Sequence, residues 1–312
     1  MMSTKIKWPN NKKFAFTIID DTDNATLENI KPIYDFLLKK NILTSKTVWV
    51  FESRDRFIGS TIQDVDYFNF MNSLKEKGFD IQLHNVGSGS FTREEIIEGL
   101  EIFNKKMGYY PSMHINHSYN PDNMYWGYKR YSLVFKLFMK LFFGQKRRFY
   151  GDEKGSKHFW GDVHKKHIKW TRNRVYNSTN TLKIDPKMPF MEKSKPYANY
   201  LFSSSDGHTI EEFNSLISKK NIDKLEKEGG LCIVYTHFAS GFLDKNSSIN
   251  KEFEENINYL SSKEGWFAPA SEILDFLLKN KNKKSFASPF YLFMLDVKWL
   301  YQRIQKKIKF GR

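Results

Sequence analysis

The sequence predicts an α/β barrel built on an all-parallel sheet, and three observations support that prediction. Short apolar, β-branched runs alternate with helical patterns in about seven units along the chain. The runs are rich in apolar and β-branched residues, as expected of an all-parallel sheet covered by helices. No glycine-rich phosphate loop follows the first run, which argues against an open dinucleotide-binding sheet.

The elements follow in order. KFAFTII reads as the first strand, with a helical pattern over 25–40 behind it. TVWVF is the second strand and 64–77 its helix. DIQLH precedes a helix over 93–107, with Thr92 as N-cap and Glu95 at the capping-box position. SMHINH is the fourth strand. The pattern then breaks over 119–171, which is rich in aromatics, lysine and glycine and too long for a simple connection. It resumes with RVYNST, with YLFSSSD before a helix over 210–228, and with LCIVYTH before a helix over 252–260. GWFAP leads into a last helix over 271–278. The barrel is thus expected over 13–280 with an insertion at 119–171, followed by a basic amphipathic helix over 286–312.

Composition bounds the function. A hydrophobic content of 40% with 16% aromatics excludes a disordered chain. The single cysteine, Cys232, lies in the apolar run LCIVY and reads as a buried structural thiol in a reducing compartment. The charged N-terminus has no apolar segment of signal type, and no stretch has the ~20 apolar residues of a membrane span. The expected location is the cytoplasm.

In a barrel, chemistry sits at the C-terminal ends of the strands. Those ends carry Asp20 and Asp21, Glu52, His84, His117, Asp206 and His237. Histidines and an aspartate converging on one rim suit a catalytic divalent metal, with Zn²⁺ the first choice, held by three protein ligands. A neighbouring carboxylate would accept a proton from water, and a histidine would protonate the leaving group. Asp20, Asp21, His84 and His237 can fill those roles. Arg174, Glu52 and Asp206 are candidate substrate contacts, although Asp206 precedes a glycine and is equally explained as turn chemistry. His114 and His117 cannot both face the barrel centre from one regular strand, because residues three apart point to opposite faces. His117, at the strand end, is the better ligand candidate.

The order of these motifs resembles the polysaccharide deacetylase superfamily (NodB homology, carbohydrate esterase family 4), whose fold is a distorted (β/α)7 barrel. TIIDDT, residues 17–22, resembles the family's T-F-D-D-G motif, which implies Asp20 as catalytic base and Asp21 as metal ligand. HNVGS resembles its H-[ST]-x-x-H motif, with His84 as ligand and Ser88 where the second histidine belongs. Tyr235-Thr236-His237 resembles its L-x-H motif, implying His237 as the acid. MHINHSYNP takes the place of the R-x-P-[FY] loop, and His117 then stands in for the missing ligand. The resemblance implies a metal-dependent hydrolase that removes an N-acyl group from an amino sugar in a glycan precursor. A glycan-binding protein without hydrolysis is the alternative. Glycoside hydrolysis by Asp20 and Asp206 is a third reading, requiring a separation of roughly 5–10 Å.

Much of the lysine behind the net charge of +15 is scattered over helices, but two aromatic, basic segments stand out, 131–150 and 289–312. Each suits either a helix packed on the domain's own surface or a contact with an anionic membrane surface, peripheral on the inner face. No nucleic-acid motif is present, and lysine excess alone does not establish such a partner.

Overall fold

The computed structural model describes residues 6–143, 148–281 and 286–311. The part QKR of the basic run QKRR, residues 145–147, lies outside them. In chain order the elements are β1 (Phe14–Asp20), α1 (Leu27–Lys39), β2 (Ser45–Val48), α2 (Val65–Glu76), β3 (Asp80–Leu83), α3 (Arg93–Met107) and β4 (Met113–His114). Then come α4 (Leu133–Phe143), α5 (Gly161–His167), β5 (Trp170–Tyr176), α6 (Thr181–Ile184), β6 (Tyr200–Asp206), α7 (Ile210–Leu216), α8 (Lys219–Glu228) and β7 (Leu231–Thr236). The described chain finishes with α9 (Lys251–Ser261), β8 (Gly265–Phe267), α10 (Ala270–Lys279) and α11 (Pro289–Phe310).

Strands β2 to β7 pair in sequence order, all parallel, and β1 closes the barrel between β7 and β2. β1 pairs with β7 over Ala15–Asp20 but meets β2 only through Ile19 and Asp20. β8 occupies the start of the same edge, opposite Phe14, Ala15 and Phe16. The fold is therefore a seven-stranded parallel barrel with one short accessory strand. Every residue of β1 is buried, which is why its sequence shows an apolar run rather than alternation.

Several boundaries differ from expectation for local reasons. β2 ends at Val48, because Trp49 leaves the ladder to bridge Thr61 while the amides of Val50 and Phe51 turn to the Val86 carbonyl. β4 is only two residues long, so His117 stands in the loop beyond it. β5 begins at Trp170, inside the segment read as an insertion. The pattern over 210–228 divides at Ser218 into α7 and α8. The helix over 93–107 is as expected: Thr92 accepts from the Glu95 amide, and the Glu95 carboxylate accepts from the Thr92 amide in return.

α11 is fastened to the barrel wall. The guanidinium of Arg174 on β5 donates to Asp296 at 2.8 Å, with both groups buried, and the second Asp296 oxygen accepts from the Ser132 amide at 2.7 Å. Tyr176 donates to the Leu295 carbonyl at 3.1 Å. Arg174 reaches the helix because β5 bulges between Arg172 and Arg174. Arg172 and Arg174 oppose successive residues of β6, Phe202 and Ser203, so the two arginines emerge on opposite faces. Cys232 is buried in β7, and burial pushes its thiol up to about 12.

Candidate metal centre and cavity

The three carboxylates after β1 part company. Asp20, the last strand residue, turns towards the helix layer. It is fully buried, 2.9 Å from the ammonium of Lys46, and accepts hydrogen bonds from the Tyr34 hydroxyl and the Phe238 amide. Asp21 turns the opposite way, into the barrel mouth, where Arg172 donates to both of its oxygens at 3.1 and 2.5 Å. Burial would raise the Asp21 carboxyl, but Arg172, His84 and His237 together hold it below its ordinary value. Asp23, two residues on, meets the histidines.

Asp23 Oδ1 lies 3.2 Å from Nε2 of His84 and 3.3 Å from Nε2 of His117. Its other oxygen, Oδ2, lies 3.2 Å from Nε2 of His237. Among the described residues, Asp23, His84 and His117 form a buried group whose donor atoms all lie within 4.8 Å of one another. Asp23 Oδ1 and His117 Nε2 are buried and make no hydrogen bond. Neighbours fix the tautomers. His84 Nδ1 is 3.1 Å from the Ile115 carbonyl, which can only accept, so Nδ1 carries a proton and Nε2 is the atom turned to the cluster. His117 Nδ1 is 2.9 Å from the Asn120 side-chain oxygen, with the same result.

These residues fit a divalent cation. Ligand atoms bonded at ~2 Å to a tetrahedral ion stand ~3.3 Å apart, close to the Asp23–histidine separations. Burial pushes His117 down despite Asp23 beside it, which keeps the ring neutral as a ligand must be. Burial would raise Asp23 too, yet His84 and His237 hold it well below the usual carboxylate range.

Braces around the cluster went unpredicted. The Asn120 side-chain oxygen also accepts from the Gly89 amide at 2.9 Å, and its amide donates to the Gly87 carbonyl at 2.8 Å. Gly89 adopts a φ of +114°, which a side chain would strain, so glycine is needed for this loop to reach Asn120. Asn85 accepts from the His117 amide at 2.8 Å and donates to Asp122 at 2.6 Å. Ser88, in the expected place of a histidine, lies 3.5 Å from His117 Nδ1 and donates to Asp55 at 2.7 Å. It supports the ligand loop.

His237 Nδ1 donates to the His208 carbonyl at 3.2 Å, which aims Nε2 at Asp23. Burial alone would lower this imidazole, but the hydrogen bond and charge of Asp23 raise it to about 9, so it carries a proton at neutral pH. The cluster opens into a cavity of about 520 Å³, whose lining includes Asp21, Asp23, His84 and His237. Phe57, Tyr119 and Trp126 supply aromatic walls, and Arg56, Arg130 and Arg303 supply cations.

The remaining expectations divide. Asp206 lines the cavity, but its carboxylate is held at 2.6 Å by Lys306 of α11, which also binds Glu212. Arg174 is not a cavity residue, since it is consumed by Asp296. Glu52 stands four residues beyond the end of β2, exposed, in a shallow depression with Phe51 and Arg54 and away from the cluster. His114 is buried against Trp160 and His164. Asp23 and Arg172 were not among the residues expected at the site. The signal for Asp23 is its two-residue spacing from Asp21, which puts both carboxylates at the rim once the strand ends at Asp20.

No family model and no curated protein matches this chain. Among solved structures, it is similar to a probable polysaccharide deacetylase from Pseudomonas aeruginosa PAO1, at 10% identity and a TM-score of 0.52, covering 88% of this chain and 94% of the other. A peptidoglycan deacetylase from Bacillus subtilis aligns at 13% identity and a TM-score of 0.40, over 87% and 94% of the two chains. The fold is that of the polysaccharide deacetylases, a parallel seven-stranded barrel with flanking helices.

Proposed function

We propose that this chain is a divergent member of the deacetylase superfamily, a metal-dependent hydrolase that removes an N-acyl group from an amino sugar. The observation that carries the reading is the convergence of Asp23 Oδ1, His84 Nε2 and His117 Nε2, two of them otherwise unpartnered, beside the cavity that Asp23 and His84 line. Asp23, His84 and His117 would hold the cation, with Asp23 in the place that the motif resemblance gave to Asp21. A divalent ion there supplies Lewis acidity, polarising an acyl carbonyl and making water a better nucleophile.

The protein's own groups do the rest. Asp21, kept ionised by Arg172, takes the role of base that the resemblance gave to Asp20 and accepts the proton of the attacking water. Asp20 is unsuited to that role because it is sealed from the cavity by Lys46 and Tyr34. His237 holds a proton ready for the departing amine, oriented by the His208 carbonyl. Phe57, Tyr119 and Trp126 give a sugar ring apolar faces to lie against.

The alternative of glycan binding without cleavage drew on the histidine missing at Ser88, and His117 supplies that nitrogen from another loop. Paired-carboxylate glycoside hydrolysis through Asp20 loses its support with the Asp20–Lys46 pair. The test is metal content by mass spectrometry together with acyl release from N-acetylated hexosamine oligomers, for the wild type and Asp23→Ala. About one equivalent of metal and metal-dependent acyl release are expected from the wild type, with both lost in Asp23→Ala. A metal-free wild type, or an Asp23→Ala protein that still cleaves, sinks the reading.

A further inference from the structure

α4 and α11 use their inner faces on each other: Tyr131, Phe135 and Met139 pack against Phe293, Trp299 and Leu300. Their outer faces are apolar and exposed. On α11, Phe290, Met294, Val297, Tyr301, Ile304 and Ile308 recur every three or four residues along the helix, and Ile308 is 81% exposed. A stripe with that period and length belongs to a helix that buries one side. α4 adds Leu133, Leu137 and Leu141 at steps of four, with Leu141 79% exposed. Scattered apolar residues are normal on a surface, but two continuous stripes on touching helices are not.

The charge around the stripes identifies what meets them. α4 contains no acidic residue, and the only one in α11 is Asp296, buried against Arg174. Lys140, Arg303 and Lys307 are exposed beside the stripes. Two copies of such a face would bring like charges together, whereas an anionic lipid surface neutralises them and accepts the apolar side chains among its acyl chains. The same helices wall the cavity, through Arg130 and Tyr131 just before α4 and Trp299, Gln302 and Arg303 of α11. Among the described residues no helix is long and apolar enough to cross a membrane, so the contact is with the bilayer surface.

We propose that the α4–α11 face seats the protein on an anionic bilayer, and that the cavity takes its glycan as the head group of a lipid carried there. The second half rests on the hydrolase reading above and the first does not. Arg130 and Arg303 at the mouth then face the phosphate region that joins such a head group to its lipid.

Flotation with vesicles of phosphatidylcholine, alone and with phosphatidylglycerol added, tests the docking. The wild type is expected to float with the anionic vesicles. The pairs Leu137→Glu/Leu141→Glu and Ile304→Glu/Ile308→Glu should each cut the bound fraction about tenfold with unchanged circular dichroism and melting temperature. No flotation, flotation indifferent to both pairs, or a wild-type dimer that the pairs convert to monomer overturns the docking. For the substrate, acyl release is compared between an N-acetylglucosamine head group on vesicle phospholipid and the same sugar free in solution. The vesicle-borne form is expected to react faster, and the advantage should vanish in the flotation-defective pairs. Equal rates overturn the lipid-borne substrate and leave the hydrolase. No release from either form, with flotation intact, removes the hydrolase and leaves the docking.

Discussion

Asp21 and Arg172 face one another across the barrel mouth, joined by two hydrogen bonds and almost wholly withdrawn from water. Arg172 sets the charge of Asp21. Arg172→Met removes the cation that holds the carboxyl down and leaves burial to push it up. The acid limb of the pH–rate profile should therefore move to higher pH, with activity at neutral pH down by about 10²-fold or more. Initial rates across pH check this, and an unmoved acid limb contradicts it.

Asp20 and Asp23 should fail in different ways. Asp20→Ala strands Lys46 as a buried unpaired charge and should cost about 3–5 kcal/mol of stability, while the surviving folded protein keeps its metal. Asp23→Ala should lose metal without a comparable fall in stability of the metal-free protein. Denaturant melts of both proteins stripped by chelator, paired with metal analysis, distinguish the two.

Asn120 holds the His117 ring by its non-ligating nitrogen. Asn120→Ala should weaken metal binding by about 10–100-fold. Competition with a chromophoric chelator measures the change, and unaltered affinity would remove Asn120 from the site.

Asp122 offers a pH signature of stability. Burial, only partly offset by Asn85, raises its carboxyl to about 7. A folded-state value above the unfolded one means that folding takes up a proton between about pH 4 and 7, so this group's contribution to stability falls as pH rises through that window. Asp122→Asn keeps an acceptor for Asn85 and should flatten the slope, by something on the order of 4 kcal/mol across the window. Urea melts at several pH values read it directly.

Arg174→Ala leaves Asp296 charged and buried under α11. The loss should be about 3–5 kcal/mol and should make the helix accessible to protease before the barrel. Simultaneous digestion of both would show that α11 is not separately latched.

The barrel was legible in the sequence because seven short runs rich in apolar and β-branched residues alternate with helical patterns, which leaves few topologies. His84 and His237 were legible for the same reason, each standing just past the end of a run. The carboxylates were not. Which of Asp20, Asp21 and Asp23 faces inward depends on the parity of β1 and on where it stops, and a shift of one residue exchanges the faces. Arg172 and Arg174 posed the same problem, because the bulge between them leaves no mark in RNRVY. Glu52 was misplaced when TVWVF was read as strand to its end, although its last residues leave the ladder. Both amphipathic segments were visible as patterns, but only coordinates reveal that their inner faces meet.

The closure of the barrel has a kinetic consequence. β1 finds its long partner in β7, roughly two hundred residues further along the chain. Its other edge is shared between the last two residues' contact with β2 and the late strand β8. During synthesis, FAFTII therefore waits as an unpaired apolar edge while most of the barrel is made, a segment that aggregates readily or engages a chaperone. Among the barrel strands, the one that delivers the carboxylates is made first and is among the last to be secured.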